Sequence, residues 1–154
     1  MGQDVVTVER LIAAPPEAIF AYLADANKHP EIDGSGTVRA AKGSPEPLEL
    51  GSTFGMSMKM GLPYSMVNTV VEFEPNRLIA WQTRGPSIGK FLGGRIWRYD
   101  LEPVDGATLV RETWDLTKES PITKFATRRM AETNRKNMTK TLARIDELVT
   151  TGVG

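Results

Sequence analysis

The chain has 154 residues, which is enough for one domain with a substantial core and too few for a second catalytic module. Its 19 lysine and arginine residues are balanced by 19 aspartate and glutamate residues, so no net charge attracts the protein to nucleic acid or anionic lipid. The absence of cysteine excludes disulfides, thiolate metal ligands and a thiol nucleophile, and it agrees with a cytoplasmic location.

The N-terminal part predicts a strand followed by a helical corner. Residues 5–12 alternate apolar and polar side chains, which is the period of a half-buried strand. Pro15 and Pro16 end that strand, and apolar residues between 17 and 24 recur at helical spacing, so a helix is expected there. Asparagine, proline and glycine between residues 25 and 34 predict a turn or a second short helix.

The middle of the chain predicts an antiparallel meander, because short runs of strand-forming residues are separated by turn residues. Asp105 and Gly106 are a strong hairpin signal between the last two runs. Residues 85–94 combine glycines with large apolar side chains, and we interpret them as a mobile flap over an internal cavity. Seven strands are predicted in total, at residues 5–12, 37–42, 53–60, 64–73, 78–83, 96–101 and 108–114.

One long amphipathic helix is predicted from Ser120 to Val149. Ser120 suits an N-cap, and Pro121 suits the first helical position. Mostly apolar residues then recur at spacings of three or four, which places them on one face: Ile122, Phe125, Ala126, Met130, Asn134, Met138, Leu142, Ile145 and Val149. We expect this face to cover the sheet.

The opening of the chain resembles a known family. The segment Arg10-Leu11-Ile12-Ala13-Ala14-Pro15-Pro16-Glu17-Ala18-Ile19-Phe20, with Leu23-Ala24-Asp25 and His29-Pro30, is similar to the start of the bacterial polyketide cyclase/dehydrase branch of the START and birch-pollen-allergen (SRPBCC) superfamily. The resemblance implies an α+β helix-grip fold over residues 1–154 as a single domain. In this fold a curved seven-stranded antiparallel sheet wraps around a long C-terminal helix, with two short helices between strands 1 and 2. It also implies a cavity for a small hydrophobic molecule, in a monomer or homodimer.

If the helix covers the concave face of the sheet, alternate strand residues line the space between them. Large apolar residues occupy every second position from Phe54 to Met60, and methionine adapts to an irregular ligand as well as to an ordinary core. Tryptophan and tyrosine can orient a ligand through their polar tips or simply pack in the core. The candidate ligand contacts are Phe54, Met56, Met58, Met60, Trp97, Tyr99, Val110, Trp114, Phe91, Phe125 and Met130.

Three residues are candidates for proton transfer: Glu112, Tyr64 and His29. Glu112 shares a strand face with Val110 and Trp114, so its carboxylate is expected to be buried and paired, with Arg10 of the first strand as the proposed partner. We favour this structural ion pair over a catalytic acid. His29, the only histidine, fits a turn better than a catalytic site, because no serine or carboxylate can be placed beside it from sequence. Asp33 is interpreted first as a helix-end or turn residue and second as a residue at the mouth of the cavity.

No metal or cofactor is expected, since one histidine and scattered carboxylates lack the grouping of a zinc site. No basic segment precedes an apolar core, and apolar runs are short, so neither export nor stable membrane insertion is expected. The leading hypothesis is a protein that binds a lipid, polyketide or aromatic metabolite. The alternatives are a cyclase or dehydratase that uses acid-base residues in the same cavity, and a chaperone-like or assembly partner.

Overall fold

The computed structural model describes residues 4–32, 38–42, 47–60, 62–85 and 93–150, apart from the side chains of residue 27 and of residues 38–42, 56–60 and 62–66. In this part of the chain one antiparallel sheet has the strand order β1-β7-β6-β5-β4-β3-β2. The strands are β1 (Val5–Ile12), β2 (Val38–Lys42), β3 (Thr53–Met60), β4 (Leu62–Glu74), β5 (Leu78–Arg84), β6 (Gly93–Val104) and β7 (Ala107–Asp115). The sheet and its associated helices make the fold α+β.

A helical corner follows β1, as the sequence predicted. Helix α1 (Pro16–Leu23) starts at a proline, whose missing backbone N–H is one of the donors that would have no partner within the helix. Its residues Ile19, Phe20 and Leu23 are buried. A 3₁₀ turn (Ala26–Lys28) then leads into the short helix α2 (His29–Ile32).

Two tight turns in the meander agree with their sequence signals. Asp105 and Gly106 have φ values of 45° and 82°, the left-handed pair that a two-residue hairpin turn between β6 and β7 requires. Asn76, in the turn between β4 and β5, has a φ of 62°. Asparagine tolerates this conformation better than most residues.

The C-terminal helix is broken, contrary to the prediction of one continuous helix. Helix α3 (Pro121–Arg128) and helix α4 (Ala131–Thr150) are separated by Arg129 and Met130. The backbone N–H of Met130 donates to the Thr127 carbonyl at 2.9 Å, a tightened bond typical of a helix end.

The break turns the apolar side of α3 outward. Thr123 and Thr127 instead face the protein. The Thr123 hydroxyl donates to the buried carboxylate of Glu119 at 2.6 Å, and the Thr127 hydroxyl, 3.3 Å from the same oxygen, donates to the Thr123 carbonyl at 2.7 Å. Ile122 and Phe125 are consequently exposed, so the prediction that they face the sheet was wrong.

The end of the predicted flap is part of a strand. Gly93 and Gly94 begin β6 and are buried, with φ values of 93° and 112°. A Cβ atom on Gly94 would lie 2.3 Å from the carbonyl oxygen of Lys118. These glycines therefore allow two backbone segments to approach closely, and this accounts for them better than mobility does. Residues 86–92, the rest of the predicted flap, lie outside the described part.

Helix α4 covers one face of the sheet at the β1 and β7 end, and it also contacts α1 and α2. Met138 packs with Val6, Trp114 and Leu116 in one apolar cluster. Leu142 and Ile145 belong to a second cluster that includes Tyr99 and Val110. The face of the sheet beneath α4 is called the inner face below. In the described part of the chain, no helix is both long and apolar enough to cross a membrane.

Candidate ligand-binding site

The three tryptophans of the chain lie side by side on the inner face. The register of the sheet places Trp97 opposite both Trp114 and Trp81. Ring centroids of Trp97 and Trp114 are 6.2 Å apart, and those of Trp81 and Tyr99 are 5.6 Å apart. Strand parity predicted the inward direction of Trp97 and Trp114, whereas Trp81 was not singled out from the sequence.

Two apolar clusters meet at Val8 and Trp97. Both side chains pack against the Met138 cluster and against the larger cluster that includes Tyr99 and Leu142. Both nevertheless keep an intermediate exposure, Val8 on the edge strand β1 under α4 and Trp97 two strands further into the sheet. Accessible apolar surface in this position is what a small-molecule site between sheet and helix requires.

A buried carboxyl and phenol pair borders this surface on one side. Glu112 is 2% exposed, and the hydroxyl of Tyr99 donates to its Oε2 at 2.8 Å. The register places Glu112 opposite both Tyr99 and Val8. A buried carboxyl is tolerated when it is hydrogen-bonded in this way.

The predicted pair between Arg10 and Glu112 was wrong. Arg10 lies opposite Val110, whereas the residue opposite Glu112 is Val8, two positions earlier in β1. It is exposed, and its Nε donates to the carboxylate of Asp146 on α4 at 2.7 Å. Because α4 crosses that end of β1, a solvated helix carboxylate is available to Arg10. The buried Glu112 therefore uses a neutral donor instead.

A row of polar side chains borders the tryptophans on the other side. Asn68, Thr83 and Arg95 occupy registered positions on β4, β5 and β6. The Thr83 hydroxyl donates to the Asn68 Oδ1 at 2.6 Å, and Asn68 is 4% exposed. Arg95 donates from Nε and Nη2 to the two carboxylate oxygens of Glu119, each at 3.2 Å.

The inward position of Asn68 was missed from the sequence, because polar and apolar residues in β4 do not alternate in a way that shows which face is inward. The register between β4 and β5 shifts between Val70 and Glu72, which marks a bulge. Before the bulge Asn68 and Val70 are buried, and after it Phe73 packs against the core. A bulge adds one residue to a strand and so changes which parity faces inward.

His29 is buried beside this region. Its ring stacks on Trp81 with centroids 4.9 Å apart, and its edge meets Phe54 at 5.3 Å. Its Nε2 lies 2.8 Å from the carbonyl oxygen of Leu23. A carbonyl only accepts, so this nitrogen carries the proton and is not available as a base. The contact ties the start of α2 to the end of α1.

The other candidate residues fall into three groups. Phe54 and Val110 are buried in the core, and Met130 packs against the Met138 cluster. Phe125 is 70% exposed on α3, so it does not line the inner face. Several predicted contacts lie outside the described residues or side chains: Met56, Met58, Met60, Tyr64 and Phe91, together with Asp33.

A charged depression of about 330 Å³ lies away from the tryptophans, at the turn between β4 and β5. It is lined by Glu74, Arg77, Leu78, Asp100, Leu101, Glu102 and Arg111. Burial raises the pKa of Asp100, an effect that the charges of Arg98 and Arg111 oppose. Among the described residues, no three histidine, aspartate or glutamate side chains are grouped as metal ligands.

Comparisons with known proteins agree with this architecture. An uncharacterized protein of Mycobacterium tuberculosis, Rv0088, is 41% identical over 106 residues, which are 68% of this chain and 44% of that protein. The chain thus spans less than half the length of this relative. The crystal structure of MLL2253 from Mesorhizobium loti is 17% identical with a TM-score of 0.69, over 96% of this chain and 97% of that one.

The di-domain ARO/CYC protein StfQ, from the steffimycin biosynthetic pathway, is 16% identical with a TM-score of 0.66, over 96% of this chain and 51% of StfQ. Residues 3–150 match the model of a single family. The chain belongs to the polyketide cyclase / dehydrase and lipid transport family.

Proposed function

We propose that the chain reversibly binds a small apolar or amphipathic molecule, such as a lipid, polyketide or aromatic metabolite, between the inner face of the sheet and α4. The observation that carries this proposal is the intermediate exposure of Val8 and Trp97 at the junction of the two apolar clusters. Accessible surface there would be covered by a ligand, and each Å² of apolar area removed from water contributes roughly 25 cal/mol.

The two polar borders would give the ligand its orientation. Tyr99 and Glu112 lie on one side of Trp97, and Thr83 and Arg95 lie on the other. Every second residue of β6 faces the same side of the sheet, so Arg95, Trp97 and Tyr99 share the inner face. A mostly apolar site with a few polar groups at its ends is typical of small-molecule pockets, in which shape gives affinity and hydrogen bonds give selectivity.

A second candidate function is a reaction of the cyclase or dehydratase type on the bound molecule. The observation that favours it is the contact between the Tyr99 hydroxyl and the Glu112 carboxyl, because such a pair can move a proton within an apolar site. Binding is the simpler function, since Glu112 already has a structural hydrogen bond. If the pair is catalytic, Glu112→Gln should stop turnover while binding persists.

Native mass spectrometry of the purified protein tests the binding function. We expect a one-to-one complex with a co-purified or added small apolar molecule that is released on denaturation. Val8→Phe should obstruct the space beside Trp97 and weaken the complex. Val5→Phe is the matched control, because Val5 is 47% exposed on the opposite face of β1. Equal binding by both folded variants would place the ligand elsewhere and contradict the proposal.

A further inference from the structure

The side-chain amide of Asn68 has an unused donor in the protein interior. Its Oδ1 accepts a hydrogen bond from the Thr83 hydroxyl at 2.6 Å. Among the described residues, its Nδ2 has no hydrogen-bond partner. Asn68 is only 4% exposed, but its Nδ2 is not among the fully buried polar atoms that lack a partner, so a small accessible surface remains through which an acceptor can reach this donor. An acceptor that is not part of the described protein would satisfy it.

The neighbouring cation is also only partly used. Arg95 gives Nε and Nη2 to Glu119, while its Nη1 has no partner in the described part of the chain. In the register of the sheet, Thr83 lies between Asn68 and Arg95. The Asn68 Nδ2 and the Arg95 Nη1 are therefore donors at the two ends of one row of side chains on the inner face. The sheet therefore offers donors here, next to the partly exposed indole of Trp97.

The charges select the kind of acceptor. The carboxylate of Glu119 is fully buried and neutralises Arg95, so no net positive charge remains to compensate an anionic ligand. Burying the charge of an anionic ligand beside the apolar surface of Trp97 would therefore be costly. A neutral oxygen can use the donors without this cost.

We infer that Asn68 is the anchor for an uncharged acceptor oxygen, such as that of a ketone or ester, on the molecule bound beside Trp97. This inference rests on the proposed function and makes it more specific. The bound molecule would place its oxygen at the Asn68 and Arg95 side, and its apolar body over Trp97. Free carboxylates of similar size would bind more weakly.

Three naphthalenes of nearly equal shape test the anchor by calorimetric titration of the folded wild-type protein. They are 2-acetylnaphthalene, its isostere 2-isopropenylnaphthalene, in which CH₂ replaces the oxygen, and 2-naphthoate. We expect the ketone to bind roughly 10-fold more tightly than the alkene, the size of one well-placed hydrogen bond to a buried donor. The carboxylate should bind more weakly than the ketone.

The variant Asn68→Asp keeps the shape of the side chain but removes its donors. It should lose the preference for the ketone and keep the affinity for the alkene. The matched control is Asn76→Asp, the same chemical change in the turn between β4 and β5, and it should keep the preference. If Asn68→Asp does not fold, the infrared C=O stretch of the ketone on the wild-type protein decides the matter. A shift to lower wavenumber relative to an apolar solvent supports the hydrogen bond.

The outcomes separate the anchor from the binding function. Equal wild-type affinities for ketone and alkene, or an unshifted C=O stretch, would overturn the anchor and leave binding of apolar molecules intact. A carboxylate that binds more tightly than the ketone would also overturn it. Failure of all three naphthalenes to bind would contradict the anchor and the proposed function together.

Discussion

Removing the Tyr99 hydroxyl tests whether Glu112 has a structural role. Tyr99→Phe leaves the ring in place but deprives the carboxyl, which is 2% exposed, of a donor at 2.8 Å. Removing the partner of a buried polar group costs about 1–3 kcal/mol. For a chain of this length, a loss of that size should lower the melting temperature by roughly 2–12 °C. Thermal unfolding followed by circular dichroism measures the change directly.

The control for this substitution is Tyr22→Phe. Tyr22 is partly buried, and its hydroxyl has no hydrogen-bond partner among the described residues, so this variant should unfold close to the wild-type temperature. Arg10→Ala should also have little effect, because an exposed ion pair such as that with Asp146 contributes about 0.2–1 kcal/mol. Equal melting temperatures for Tyr99→Phe and Tyr22→Phe would refute the structural role of the hydrogen bond.

Three further variants test other contacts. Glu119→Ala removes the buried partner of Arg95 and should cost about 3 kcal/mol of unfolding free energy in a urea titration, the lower end of the range for breaking a buried pair. Gly94→Ala should lower the stability far more than Gly106→Ala. Both glycines have positive φ, but only a Cβ atom at Gly94 would lie 2.3 Å from a carbonyl oxygen. Comparable losses of stability in the two variants would contradict that clash. Because burial raises the pKa of Asp100, the folded state binds this proton more tightly than the unfolded state, and stability is lost as pH rises through the raised value. Asp100→Asn should therefore raise the melting temperature when the pH is above the pKa of Asp100 in the folded state, and it should not raise the melting temperature when the pH is below that pKa. Glu74→Gln, an exposed control, should leave the melting temperature unchanged in both pH ranges.

The positions of the strands along the chain and the corner after β1 could be predicted because they depend on local signals. Alternation fixed residues 5–12 as a strand, and Pro16 marked the start of α1. Asp105 and Gly106 specified the hairpin turn through their left-handed conformations. The alternation of side chains along a strand also predicted which residues of β6 and β7 face the interior.

The features that were missed depend on contacts between distant segments. The break after Arg128 could not be read from helical periodicity, which continues through Met130. It accompanies a contact between distant segments, in which Thr123 of α3 donates to the buried Glu119 that also binds Arg95 of β6. The inward position of Asn68 required knowledge of a bulge.

The partner of Arg10 could not be predicted from strand parity alone. Parity placed Arg10 and Glu112 on the same face, but the register decides which pairs are close. Asp146 is available to Arg10 only because α4 crosses β1. Local sequence contains no direct signal for such a crossing.

Fluorine NMR of protein labelled with 5-fluorotryptophan tests the central claim most directly, because all three tryptophans lie on the inner face. Titration with 2-acetylnaphthalene should shift the Trp97 signal most and saturate at one equivalent. Trp81 and Trp114, its neighbours in the register, should shift less. If calorimetry shows binding while all three signals remain unchanged, the ligand does not occupy the space beside Trp97 and the account is wrong.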